Sequence, residues 1–128
     1  MSEIQTIITQ DPTGQKLVEF AARTAERLVK DGLTRSQIRN IFTEVRRVEA
    51  LWESDPQQAL RRLIMLKPKL DYQAARQRHV KNLKNVLSEA IDHVAQASDP
   101  EEQSKRFQRF MDLFEAILAY HRAKGGRK

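Results

Sequence analysis

Lys67 and Lys69 bracket Pro68, and Tyr72, Arg76 and Arg78 follow within the next two turns of a helix starting there. Cations interleaved with an aromatic ring make a surface suited to a polyanion. Tyr72 and Arg76 are four residues apart, which makes them neighbours on one helix face. A helix start beside Pro68 would add backbone amides within reach of a phosphate. Lys81 and Lys84 carry the positive strip one turn further. A second group precedes it. At roughly 100° per residue, Arg35, Arg39 and Arg46 fall within about 40° of one another, flanking an apolar stripe and projecting into solvent.

Any one Lys or Arg on an amphipathic helix is as readily a solvated surface group. Their concentration carries the argument. The chain has a net charge of +6, yet residues 34–85 alone hold +7, against −1 for residues 1–33 and 0 for residues 86–128. Recognition of a sugar–phosphate chain by such a face is independent of base sequence. Charge by itself does not separate nucleic acid from a membrane surface or an acidic protein.

Catalytic constellations are missing. There is no nucleophile elbow, phosphate-cradling glycine loop or zinc-protease helix motif. The chain has no cysteine, which removes disulfides and thiolate chemistry and fits a cytoplasmic protein. His79, His93 and His121 show no ligand spacing, and His121 continues the apolar face of the last helix as a packed or rim histidine. The acidic pairs Glu89/Asp92 and Asp112/Glu115 read as solvated helix faces. We therefore expect no enzyme, no cofactor and no metal. No apolar run approaches the roughly 20 residues of a membrane span, and the N-terminus lacks a secretory pattern.

The elements that must position these side chains are helices. Three Asp-Pro dipeptides, at 11–12, 55–56 and 99–100, place a capping carboxylate before a residue suited to the first helical position. Helices are expected from about Pro12 to Lys30, from Thr34 past Trp52, from Pro56 to Leu66, from Lys69 to Ala97 with a break near His79, and from Pro100 to Lys124. Gly32 stops the first, and Thr34 with Gln37 forms a capping box for the second. Pro68 is expected to interrupt the register. Core candidates include Leu17, Ala21, Leu28, Ile38, Val45, Trp52, Leu63 and Ile64. Phe110, Phe114 and Tyr120 face either the core or a neighbouring copy. The fold class is all-α: a compact bundle of about five helices, a single domain over residues 1–128, with 1–11 and 125–128 flexible.

Three stretches resemble one family. Residues 33–41, LTRSQIRNI, resemble the "LTxSQIRN" start of the small subunit of type III-A CRISPR effector (Csm) complexes. Residues 66–76, LKPKLDYQAAR, resemble its "LKPKLAYxAGR" block, and residues 110–121, FMDLFEAILAYH, its "FxxFFEAIxAYHK" block. The resemblance covers about residues 33–126. It implies a non-catalytic helical bundle stacked in several copies beside the guide-RNA backbone subunits, contacting guide and target RNA. Cleavage of RNA and DNA and cyclic-oligoadenylate synthesis belong to other subunits. The partners implied are single-stranded RNA, other Csm subunits and further copies of the chain, with a dimer one state open to it in isolation.

Carried over by position, Arg39 matches the first block, and Lys67, Lys69, Tyr72 and Arg76 match the second. Arg35, Arg46, Arg78 and Lys81 rest on helix geometry alone. The chain departs from the pattern at Asp71, often Ala, and Ala75, often Gly. A small helical subunit of a type III-B or other class 1 CRISPR effector, and a helical protein–protein adaptor with no RNA role, remain alternative readings.

Overall fold

A buried residue recurs every three or four positions along nearly the whole chain, and this spacing winds six α-helices around one apolar core. The computed structural model describes residues 1–128. The helices are α1 (Glu3–Gln10), α2 (Gln15–Asp31), α3 (Arg35–Ser54), α4 (Pro56–Arg76), α5 (Lys81–Ala95) and α6 (Pro100–Ala123). A 3-10 turn, Arg78–Val80, separates α4 from α5. The longest helix, α6, packs most extensively on α2 and also meets α1, α3 and α5, while α4 packs on α3 and α5.

Most helix starts follow local chemistry. The Thr34 hydroxyl accepts from Gln37 N at 3.1 Å, and Thr34 N donates to the Gln37 side chain at 3.0 Å, closing the capping box. Asp55 and Asp99 accept from the amides of Gln58 and Glu102, each followed by proline in the first turn. The first Asp-Pro behaves differently. Asp11 accepts from Leu17 N at 2.9 Å, but α2 begins only at Gln15, after Gly14 turns the chain at φ 78°. Pro12 therefore lies in the α1–α2 connection.

Further expectations need correction. Residues 3–10, expected to be flexible, form α1, making six helices where about five were expected. Ile4, Ile7 and Ile8 share one face, are buried, and join the common core. The Arg109 guanidinium on α6 donates to the carbonyls of Ile8 and Thr9 at 3.1 and 3.3 Å, capping the end of α1. Pro68 does not break its helix. Its ring is exposed, so a single missing amide donor is the main cost, and buried Leu63, Leu66 and Leu70 hold both halves of α4 in register. The break occurs at extended Gln77 and the turn containing His79, close to where it was expected. Ile64 is 40 % exposed, because the buried face of α4 follows Ala59, Leu63, Leu66 and Leu70.

Phe110 and Phe114 belong to the interior, and Tyr120 packs partly buried against it. Phe114 meets Phe42 edge to face at 5.1 Å, and Trp52 stacks on Phe107 at 4.2 Å, joining α3 to α6. The Trp52 indole donates to Ser104 Oγ at 2.9 Å.

The C-terminal residues fold back, in place of the flexible end expected. Gly126 N donates to His121 O at 2.8 Å, and Arg35 N donates to Arg127 O at 2.6 Å. His121 is buried, its Nε2 2.8 Å from Leu33 O, and Gly126 lies against its ring. A methyl group at Gly126 would overlap that ring. Gly126→Ala is therefore expected to release the tail, speed hydrogen exchange at the Arg35 amide, and cost about 1–2 kcal/mol, the scale of an overpacked contact. Unfolding and exchange measurements check this; far-UV helicity should not change.

Candidate nucleic-acid interface

Helix α4 positions the most coherent basic surface. Counting 100° per residue, Arg61, Arg62, Met65, Lys69, Tyr72 and Arg76 occupy an arc of about 100°, away from the buried Leu63/Leu66/Leu70 face. All six are exposed. At 1.5 Å rise per residue the stripe runs about 22 Å, roughly the length of six stacked nucleotides. None of its four cations forms an ion pair; the pairs in this region engage Arg46, Arg47, Lys67 and Lys84. Arg76 lies over the Tyr72 ring, 5.6 Å from its centroid, and donates to the hydroxyl at 3.1 Å. That contact holds both side chains on the surface.

Beside the stripe, α3 and α4 leave a groove formed by two adjoining depressions of about 310 and 680 Å³. Arg47, Arg61, Arg62 and Lys69 line it, with Glu44 as its single acid, paired to Arg47 at 3.0 Å. Its larger part has an apolar floor of Ile41, Leu66 and Leu70.

The sequence-predicted residues divide among several places. Lys69, Tyr72 and Arg76 share the α4 face, and Arg78 and Lys81 stand exposed and unpaired at the corner beyond it. Lys67 points elsewhere. It pairs with Asp92 of α5, so the two lysines around Pro68 serve different surfaces. The helix start expected between them does not exist, and no free backbone amides stand there. Arg39 is exposed without an ion pair. Arg46 is held between Glu49 at 3.2 Å and Glu115 at 3.3 Å, and lies over Phe42. Arg35 is half-buried beside the C-terminal tail, its Nε buried without a partner. The expected Arg35/Arg39/Arg46 ridge therefore presents only Arg39 as an uncommitted exposed cation.

Arg61 and Arg62 were missed. The signal was present, since 61, 65, 69, 72 and 76 recur at spacings of four and three. Reading Pro68 as a boundary cut that phase in two. Asp71, where the sequence departs from the family pattern, lies 3.4 Å from Lys84, which offsets its charge.

This division yields a test. Lys67→Ala is expected to lower stability by about 0.5 kcal/mol through loss of a partly screened pair, with RNA affinity within about twofold. Lys69→Ala is expected to leave stability unchanged, weaken RNA binding about threefold, and reduce the salt slope by about 0.7. Paired denaturation and binding titrations separate the two.

No helix is long and apolar enough to cross a membrane. Of the histidines, His93 Nε2 lies 3.1 Å from Glu89 Oε2 and His121 meets the Leu33 carbonyl, so both have structural partners.

Comparison with curated proteins and with solved structures finds no match. The family model described as Csm2 Type III-A matches residues 11–127, which include all three sequence blocks and the whole of α2. It favours type III-A over the type III-B alternative. With nearly its whole length matched, the chain belongs to the Csm2 Type III-A family, the structural small subunit of the type III-A CRISPR effector and a partner of that complex's other Csm subunits.

Proposed function

We propose that this subunit binds the RNA of the effector complex through the α4 stripe, without catalysis and without reading sequence. The observation that carries the reading is the set of four carboxylate-free cations, Arg61, Arg62, Lys69 and Arg76, on one exposed face of one helix. Cations on a rigid element meet phosphates without ordering a loop first, which keeps the entropic cost of binding low. Arg39, Arg78 and Lys81 extend the positive field beside and beyond the stripe. Base pairing between guide and target supplies specificity in such a complex, so a backbone contact suffices. Several copies stack along the guide–target duplex beside the guide-RNA backbone subunits.

Affinity purification of the tagged chain from its native host tests the assignment. Guide RNA and other effector subunits are expected to co-purify, and replacing the four α4 cations with Ala should reduce recovered RNA more than recovered protein. Recovery of Csm subunits with undiminished RNA from that variant would remove the α4 stripe from the RNA path.

A further inference from the structure

The α3–α4 groove has a chemistry that backbone binding does not use. Its larger part, about 680 Å³, is built mainly from apolar surface, with Ile41 and Leu66 beneath and Met65 and Tyr72 at the exposed edge. Two side-chain amides, Asn40 on α3 and Gln73 on α4, line the same space. Each offers both donors and an acceptor. Lys69 stands at its margin without a carboxylate partner. Tyr72 is 63 % exposed, and Arg76 lies over its ring 5.6 Å from the centroid while donating to the hydroxyl. No other ring or guanidinium packs on it.

A mainly apolar depression, a largely exposed aromatic ring on its lining, amides able to meet polar ring edges and a cation at the margin fit one kind of occupant. We propose that the groove receives an unpaired nucleobase of the bound RNA, stacked on Tyr72, with the adjoining phosphate on Lys69. Charge favours this occupant. The groove and its rim carry Arg47, Arg61, Arg62 and Lys69 against Glu44 alone, so an anionic chain is drawn to it. Stacking accepts any base, because every base has a π face, so the subunit still reads no sequence. This inference rests on the proposed RNA role.

The test uses the full chain and two labelled probes of about ten nucleotides, within the span of single-strand binding sites. One is oligouridine; the other is the same ribose–phosphate chain without bases. The wild-type chain is expected to bind oligouridine about tenfold more tightly than the abasic probe. Tyr72→Ala should erase that difference, while Tyr72→Phe keeps it. Irradiation of 4-thiouridine RNA is expected to label the tryptic peptides covering residues 63–69 or 70–76. Equal wild-type affinity for both probes, with a steep salt slope, would overturn the base site and leave the cation stripe standing. Absence of salt-dependent binding to either probe would overturn both. A Tyr72→Ala effect on sedimentation of the RNA-free chain, with RNA affinities unchanged, would assign the groove to a protein partner and overturn the proposal.

Discussion

Replacing Arg61, Arg62, Lys69 and Arg76 together with Ala is expected to lower affinity for single-stranded RNA about a hundredfold at low salt. At about 0.7 kcal/mol per contact, within the range for exposed ion pairs, four contacts come to about 2.8 kcal/mol, two decades in affinity. The four positions are exposed on a helix, and Ala is the strongest helix former, so stability should hold or rise slightly. A control set removes the same charge elsewhere: Arg23, Arg27, Lys30 and Lys105 each already pair with a carboxylate. That variant should lose less than about fivefold, through the weakened long-range field alone. Equal losses in both variants would mean that net charge, and no particular face, governs binding.

The second large effect concerns folding. Phe114→Ala is expected to cost about 3–5 kcal/mol, because a ring with no exposed surface leaves a cavity and loses its edge contact with Phe42. Against a typical domain stability of about 5–15 kcal/mol, that is a large fraction. For a chain of 128 residues it corresponds to a fall in Tm of about 11–19 °C. Tyr120→Ala should cost distinctly less, since Tyr120 packs only partly against the core. Thermal unfolding of the two variants checks the ranking. A mild effect at Phe114 would mean that α6 packs loosely on α3.

Local signals in the sequence account for much of this fold. The Thr34–Gln37 box, the caps at Asp55 and Asp99, and the Ile38/Ile41/Val45/Val48/Trp52 stripe are all contained within a few residues, and each stands where it was read. What was hidden depends on distant packing. Helix α1 is only eight residues long, too short to persist alone, and is held by burial of Ile4, Ile7 and Ile8 and by Arg109 of α6. Pro68 stays inside α4 because tertiary contacts on Leu66 and Leu70 outweigh a missing backbone donor.

The basic surface divides the same way. Its existence was legible from composition; its membership was not. Lys67 and Arg46 look equivalent to Lys69 and Arg39 in one dimension. Asp92, the partner of Lys67, and Glu115, one of the two partners of Arg46, stand 25 and 69 residues away and meet them only once α5 and α6 have packed; only Glu49, three residues beyond Arg46, is local. Conversely, Arg61 and Arg62 joined the surface only because α4 runs unbroken from Pro56 to Arg76.

A continuous α4 face that neutralises about four phosphates of a single strand leaves a direct signature in solution. The most direct measurement is the salt dependence of RNA affinity for the unmodified chain, using unrelated sequences of equal length. With four contacts the slope of log affinity against log salt is expected near −3, so affinity falls about fiftyfold between 50 and 200 mM. The slope should be the same for every sequence. A slope near zero, or one that changes with base composition, would contradict the account.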